Sequence, residues 1–152
     1  MERIASFNVD HRYIVPGVYI SRIDGDVTTY DLRTRKPNAG NFMTNIQMHS
    51  VEHLFATFIR NSEIKENVIY FGPMGCQTGF YLLIRNAING QVVEIIKKVL
   101  EDIISYNGEI PGNSEIECGN YINLNMKCAK EECKRYYNEI KDIKEKDLNY
   151  PE

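Results

Sequence analysis

Apolar residues divide the first half of the chain into short strands separated by turns. Two β-rich runs, residues 18–23 and 27–32, flank Asp24-Gly25-Asp26, where the glycine predicts the turn of an antiparallel hairpin. Residues 67–71 and 80–84 form a second pair of runs, separated by a turn rich in glycine and proline, and predict two further neighbouring strands. The pattern therefore predicts a mainly antiparallel sheet.

Three longer segments have apolar residues at helical spacing: residues 48–61, 91–106 and 127–146. The last is highly charged, which predicts a solvated face opposite a narrow apolar side. Helices covering one face of an antiparallel sheet would make a two-layer α+β sandwich. The apolar side expected to lie on the sheet in the second helix contains Val92, Ile95, Ile96, Val99, Leu100 and Ile103, and that of the third contains Cys133, Tyr136, Ile140 and Ile143.

Length and charge restrict the class of protein. A chain of 152 residues predicts one domain, residues 1–152, that buries roughly two-thirds of its unfolded surface. A net charge of -3, from 18 Lys and Arg against 21 Asp and Glu, argues against nucleic acid and membranes as partners. Neither a membrane-spanning run nor the apolar core of a signal peptide occurs, so we expect a cytoplasmic protein. The four cysteines lack paired spacings, which predicts reduced thiols and no disulfides.

Chemistry first enters in the segment His49-Ser50-Val51-Glu52-His53. On a helix with about 3.6 residues per turn, His49 and His53 lie one above the other, and Glu52 flanks the same face. Val51, Leu54 and the residues that follow at helical spacing fall on the opposite arc and can be buried. The pattern H-x-x-E-H is a known metal-site motif, although ordinary histidines on a surface helix also match it by chance. It predicts half of a catalytic metal site.

A third protein ligand is required, and Cys118 is the strongest candidate. Gly119 follows it directly and permits close approach of the backbone to a metal. Cys128 and Cys133 are five residues apart in a predicted helix, so they lie on different faces and do not chelate one ion together. We expect both to be buried as small hydrophobic side chains. The predicted ligand set is therefore His49, His53 and Cys118.

A second reactive group is predicted at Cys76, within Gly72-Pro73-Met74-Gly75-Cys76-Gln77-Thr78-Gly79. Successive backbone N–H groups in such a turn, or a nearby metal, can stabilise a thiolate. Cys76 is therefore a candidate acid, base or nucleophile, and the alternative is an inert packed cysteine.

Two other functions fit parts of this pattern. A metallopeptidase of the H-x-x-E-H type would use Glu52 to activate water, but it takes a carboxylate as third ligand and leaves Cys76 unexplained. A non-catalytic module would enclose a structural metal with four protein ligands and no exchangeable water.

Taken together, these motifs resemble the S-ribosylhomocysteine lyase (LuxS) family, and the resemblance spans most of the chain. Three short stretches differ from the family's usual residues. Ser50-Val51 replaces Thr-Leu, and Tyr70-Phe71-Gly72 stands in place of Asp-x-Ser. Thr34-Arg35-Lys36 differs from the usual residues between Arg33 and Pro37-Asn38. The matching pieces, in order, are Ala5-Ser6-Phe7 with Asp10-His11, Asp31-Leu32-Arg33 with Pro37-Asn38, His49-Ser50-Val51-Glu52-His53, Pro73-Met74-Gly75-Cys76-Gln77-Thr78-Gly79-Phe80-Tyr81, and Cys118-Gly119.

The resemblance implies a role for each matched position. His49, His53 and Cys118 would bind one divalent metal per subunit, with Fe2+ expected in the cell and Zn2+ in purified protein. Glu52 and Cys76 would be the acid and base. The substrate S-ribosylhomocysteine would be contacted by residues at three further family positions, Ser6, His11 and Arg33.

The family's reaction and assembly are likewise expectations here. The reaction is carbonyl migration along the ribose and β-elimination, which yield homocysteine and 4,5-dihydroxy-2,3-pentanedione, the precursor of the quorum-sensing signal autoinducer-2. The resemblance also implies a homodimer in which each active site borrows residues from the partner.

Overall fold

A computed structural model describes residues 1–152 and contains one four-stranded antiparallel sheet. The strands are β1 (Gly17–Asp24), β2 (Val27–Arg33), β3 (Val68–Pro73) and β4 (Gly79–Arg85), in the spatial order β1-β2-β4-β3. Every neighbouring pair is antiparallel. The hairpin between β1 and β2 turns at Gly25, whose φ of +60° suits glycine. The four predicted strands are confirmed, each within two residues at either end.

Three α-helices occur at the expected places: α1 (Asn45–Ile59) lies between β2 and β3, and α2 (Asn89–Ser105) and α3 (Met126–Ile140) follow β4. Helix α1 begins three residues before the predicted start because Thr44 and Gln47 form a reciprocal capping box. None of the helices combines the length and apolar composition needed to cross a bilayer.

The predicted end of the third helix at Lys146 is wrong, because α3 ends at Ile140. Beyond that residue the chain turns, and the carbonyl of Ile143 accepts a hydrogen bond from the buried Lys97 ammonium of α2. No backbone N–H donates to this carbonyl after the turn, and Lys97 supplies its hydrogen-bond donor.

The helices cover one face of the sheet and confirm the α+β sandwich. Alternate strand residues such as Leu32, Phe80 and Leu82 point toward the helices and are at most 1% exposed. Leu100 of α2 shares a small cavity with Leu32 and Phe80, so the apolar side of α2 faces the sheet as predicted. The core is a single cluster of 28 buried residues, which places the helices rigidly on the strands.

The opposite face of the sheet carries polar groups and is covered only in part. Tyr19, Asp31 and Tyr81 are paired across β1, β2 and β4 and lie on this outer face. Asp31 is fully buried there, and the C-terminal Tyr150 stacks on Tyr19. The outer face therefore carries polar and charged side chains, whereas the face covered by the helices carries the hydrophobic core.

One buried ion network joins the sheet to α3. Glu132 accepts hydrogen bonds from Arg35, at 3.1 and 2.6 Å, and from Arg135, at 3.3 and 2.7 Å. Arg135 also donates to the carbonyl of Thr34 at 2.5 Å. Thr34 and Arg35 directly follow β2, so this ion network ties the end of that strand to α3.

The four cysteines are free and differ in exposure. Cys133 is 1% exposed and confirms its prediction, and burial raises its pKa to about 12. Cys128 is only half-buried, so the prediction that it is buried is wrong. The five-residue offset that separates the two thiols on α3 also turns Cys128 away from the core.

Candidate active site

Helix α1 presents both predicted histidines on one side. The rings of His49 and His53 are edge to face, with centroids 4.7 Å apart, and both side chains are half-buried. On the opposite arc, Val51 and Leu54 are buried in the core and fix the rotation of the helix. The amphipathic pattern of α1 therefore decides which way the imidazoles point.

Cys118 reaches this helix from the segment between α2 and α3. Its Sγ lies 3.3 Å from His49 Nε2, and the ligand atoms of His49, His53 and Cys118 lie within 4.8 Å of one another. This is the one group of three or more His, Cys, Asp or Glu side chains in the chain that can hold a metal ion. Two imidazole nitrogens and one thiolate form a donor set suited to Zn2+ or Fe2+ with a position left open.

Both imidazoles are held through the nitrogen that faces away from the sulfur. His49 Nδ1 is hydrogen-bonded to Asn123 Oδ1, and His53 Nδ1 is 2.8 Å from the carbonyl oxygen of Pro111. Acceptors at Nδ1 fix the tautomer in which Nε2 is the free ligand atom. The site is therefore organised beyond its three donors, and it fits a metal ion.

Glu52 lies beside this group with its carboxylate unpaired. It is half-buried, makes no hydrogen bond or ion pair in the chain, and lines a groove of about 410 Å³ together with His53 and Tyr70. A carboxylate with free lone pairs at the edge of a metal group can accept a proton from a bound molecule.

Cys76 is exposed, which excludes the alternative of an inert packed cysteine, and it belongs to a second polar group. Its Sγ lies 2.9 Å from Thr78 Oγ1 and 4.0 Å from Arg33 Nη1. Because Arg33 Nη1 donates to Thr78 Oγ1 at 2.8 Å, the hydroxyl hydrogen of Thr78 is free to point at the sulfur. The Cys76 sulfur therefore faces one cation and one hydroxyl donor.

Arg33 is buried and paired with Asp31 through two hydrogen bonds, at 3.1 and 2.7 Å. Burial by itself would lower the pKa of Arg33, but the bonds and the charge of Asp31 outweigh burial and raise it. Arg33 is therefore a permanent cation at the end of β2.

The turn that carries Cys76 is tied to the start of the histidine helix. Gln77 Nε2 donates to the carbonyl of Met43 at 2.9 Å, and the Met43 amide donates to the carbonyl of Gln77 at 3.0 Å. Met43 immediately precedes Thr44, the residue that caps α1. No hydrogen bond or ion pair links the Cys76 group directly to the metal group, so the two are related through this backbone contact.

Ser6 and His11 lie in the amino-terminal segment and do not touch either group. Ser6 lines a groove of about 510 Å³ on the outer face of the sheet, alongside Tyr81 and Tyr70. Tyr70 also lines the groove of Glu52, so it separates the two depressions. His11 Nδ1 is 2.8 Å from the carbonyl of Val9. Their roles as substrate contacts stay predictions.

Comparison with known proteins identifies the family of this chain. The model of the S-ribosylhomocysteinase (LuxS) family matches residues 4–147. The chain belongs to this family. It is 46% identical to S-ribosylhomocysteine lyase of Finegoldia magna over 157 aligned residues, covering 100% of both chains. It is 42% identical to S-ribosylhomocysteine lyase of Clostridium acetobutylicum, with 100% of both chains covered.

A spirochaete relative extends the similarity. The chain is 41% identical to S-ribosylhomocysteine lyase of Borrelia garinii subsp. bavariensis, with 99% of this chain and 100% of the relative covered. Membership of the LuxS family gives no support to the metallopeptidase alternative.

Several contacts in this LuxS chain had no signal in the sequence analysis. Asn123 and the carbonyl of Pro111 approach the histidines from segments far along the chain, and no local pattern distinguishes them. The contact between Asp31 and Arg33 could have been predicted, because residues two apart on a strand lie on the same face. Thr78 likewise follows Cys76 by two residues in the same turn.

Proposed function

We propose that this chain cleaves the thioether of S-ribosylhomocysteine to give homocysteine and 4,5-dihydroxy-2,3-pentanedione, and that residues 1–152 act as one catalytic domain. The observation that carries the proposal is the half-buried group of His49, His53 and Cys118 with the unpaired Glu52 beside it. Membership of the family and the names of its relatives support the choice of substrate.

His49, His53 and Cys118 would hold one divalent metal ion per subunit, Fe2+ in the cell and Zn2+ in protein purified in air. Such an ion supplies Lewis-acid polarisation of the substrate's carbonyl and hydroxyl oxygens. Asn123 and the Pro111 carbonyl support this assignment, because they keep both imidazoles oriented toward one point. Metal analysis of protein purified without oxygen tests it, and a preparation containing zinc alone would contradict the iron assignment.

Glu52 and Cys76 would move the protons. Each shift of the carbonyl, from C1 to C2 and from C2 to C3, removes a proton from one carbon and returns one to its neighbour, which requires a base at a stated position. When the carbonyl is at C3, the C4 proton is acidic. Its removal forms the C4–C5 double bond, breaks C5–S and leaves the electron pair on homocysteine thiolate.

The two candidate bases have different surroundings. The Glu52 carboxylate has no partner inside the chain, and the Cys76 sulfur faces the cationic Arg33 and the Thr78 hydroxyl. Arg33, Ser6 and His11 would be the substrate contacts.

We further propose a homodimer whose active sites lie at the interface. Support comes from the amino-terminal segment, where Phe7 and Tyr13 are 62% and 51% exposed beside Ser6 and His11. Large exposed apolar side chains next to expected substrate contacts suit a surface covered by a partner subunit. Sedimentation equilibrium tests this, and a monomer with full activity would contradict it.

In the cell, a cytoplasmic location suits the proposed reaction. Homocysteine would return to the methionine cycle, and the diketone would serve as precursor of autoinducer-2 in quorum sensing. Detection of autoinducer-2 activity in the reaction mixture tests the second product.

The decisive experiment measures homocysteine release from S-ribosylhomocysteine with a thiol reagent. Glu52→Gln and Cys76→Ala should each lower kcat about 10²- to 10⁴-fold, the usual effect of losing a general acid or base, while the metal content stays unchanged. Matched controls are Glu63→Gln and Cys128→Ala, which alter a carboxylate and a thiol outside the candidate site. Retention of wild-type turnover by either site variant would overturn the proposed roles, and absence of homocysteine release by wild-type protein would overturn the function.

A further inference from the structure

The last residues of the chain fold back onto the outer face of the sheet. The carbonyl of Leu148 accepts a hydrogen bond from the Ile20 amide at 2.8 Å, so the tail runs beside the edge strand β1. Two residues later, the ring of Tyr150 stacks on Tyr19 with centroids 4.9 Å apart and planes at 22°. Leu148 is 2% exposed, and its burial anchors the tail in the core. The position of Tyr150 is thus fixed by packing on both sides of β1.

From this position Tyr150 reaches a buried carboxylate. Its hydroxyl donates to Asp31 Oδ2 at 2.7 Å, and Asp31 is fully buried. Burial and then the charge of Asp31 raise the pKa of Tyr150, so the phenol keeps its proton and acts as donor. Charge-assisted hydrogen bonds of this kind are stronger than neutral ones.

The Asp31 carboxylate that binds Tyr150 also binds Arg33. The carboxylate binds Arg33 Nη2 at 2.7 Å through the oxygen that accepts from Tyr150, and Nε at 3.1 Å through the other oxygen. Both oxygens are therefore engaged, and the plane of the carboxylate sets the plane of the guanidinium. The remaining nitrogen, Nη1, bonds Thr78 and lies 4.0 Å from Cys76 Sγ.

We propose that Tyr150 is a positioning residue of the active site, which holds Arg33 against the Cys76 thiol through Asp31. The proposal rests on the role proposed for Cys76 only in its effect on turnover. Without the phenol hydroxyl, Asp31 loses one of its donors in a buried site, so its carboxylate and the guanidinium paired with it are oriented less tightly. The cation is then held less firmly beside the Cys76 sulfur.

The variant Tyr150→Phe tests this with minimal disturbance, because it removes one oxygen and keeps the stacked ring. Tyr19→Phe is the matched control: its hydroxyl donates to the carbonyl of Val15 at 2.7 Å, within the same stacked pair. The readout is the rate at which iodoacetamide alkylates Cys76 at neutral pH, followed by mass spectrometry. Other groups around the thiol that titrate or carry charge are Arg33 and Asp31 from β2 and Tyr81 from β4.

In Tyr150→Phe the rate of Cys76 alkylation at neutral pH should fall about three- to tenfold, because the guanidinium of Arg33 is held less firmly beside the sulfur. Turnover of S-ribosylhomocysteine should fall by a similar factor in kcat. Tyr19→Phe should leave the alkylation rate unchanged. A chain ending at Asn149 should reproduce the loss of alkylation rate, which gives a second test if one substitution perturbs folding.

An unchanged alkylation rate in both Tyr150→Phe and the shortened chain would overturn the proposal and leave the tail as a structural latch. Alkylation does not depend on substrate, so this failure is distinct from failure of the proposed function. If wild-type protein releases no homocysteine but the alkylation rate still falls in the variants, the positioning of Arg33 stands and the lyase assignment falls.

Discussion

Glu132 offers the sharpest test of how this fold is held together. Its carboxylate is 3% exposed and faces two guanidinium groups, of Arg35 at 8% and of Arg135 at 35% exposure. Glu132→Gln keeps the shape of the side chain but removes its charge and turns an amide N–H₂ toward cationic donors. Arg35 then remains buried without a counter-ion.

The magnitude follows from this burial. Breaking a buried pair by removing one partner costs about 3–5 kcal/mol, and partial hydration of Arg135 places the expected loss near the lower end. For a chain of this size, about 3 kcal/mol corresponds to a fall in Tm of roughly 6–12 °C. Chemical denaturation followed by circular dichroism, with chelator present in all samples, measures the free energy of unfolding without a contribution from bound metal.

The pH dependence gives an independent check. Burial raises the pKa of Glu132, but hydrogen bonds from Arg35 and then Arg135 outweigh it and hold the pKa below its ordinary value of 4.5. A lowered folded-state pKa stabilises the protein above the unfolded value, and this stabilisation disappears as pH falls. The difference between wild type and Glu132→Gln should therefore be constant from neutral pH down to about 5 and should shrink below 4.5.

Glu131→Gln is the matched control, because the neighbouring carboxylate on α3 is exposed and makes no ion pair. It should change the free energy of unfolding by less than about 0.5 kcal/mol. A loss below about 1 kcal/mol in Glu132→Gln, or a difference that does not change with pH, would refute the reasoning.

Three further predictions concern the metal group and the buried thiol. Asn123→Ala removes the acceptor on His49 and should weaken metal binding about 10- to 100-fold, as measured by competition with a chromophoric chelator. Gly112→Ala places a Cβ 3.1 Å from His53 Nδ1 at a φ of +75°, so it should lower metal affinity and also destabilise the fold by about 1–2 kcal/mol, as measured by titration and denaturation. Cys133, whose pKa is raised to about 12 by burial, should resist iodoacetamide at pH 8 until the protein unfolds, as peptide mass spectrometry would report.

Each of these has an outcome that would count against it. Asn113 is exposed, so Asn113→Ala serves as the control and should bind metal with wild-type affinity. Wild-type affinity in Asn123→Ala as well would remove the case for an orienting contact. Gly25→Ala has the same sign of φ with open space around it, so it should destabilise without affecting metal; a matching loss of affinity there would show that strain alone is responsible. Alkylation of Cys133 in the folded state would contradict its burial.

The sequence predicts contacts between residues that are close along the chain better than contacts between distant ones. Helical spacing sufficed to pair His49 with His53, because neighbours on one helix are fixed by the helix itself. Cys118 could be selected only as a candidate, since its approach to His49 depends on how the segment between α2 and α3 folds. The end of the third helix was missed because apolar residues at helical spacing continue to Ile143, whereas the chain turns after Ile140.

The sequence by itself determined the antiparallel strands, the three helices, the imidazole pair and, through its motifs, the family. All of these rest on periodicity and local order, which the backbone imposes over a few residues. Only the tertiary structure decided that Asn123 and Pro111 orient the imidazoles and that Tyr150 and Asp31 fix Arg33 beside Cys76. Such contacts join residues far apart in the chain, and packing of the core, which no local pattern encodes, brings them within hydrogen-bond distance.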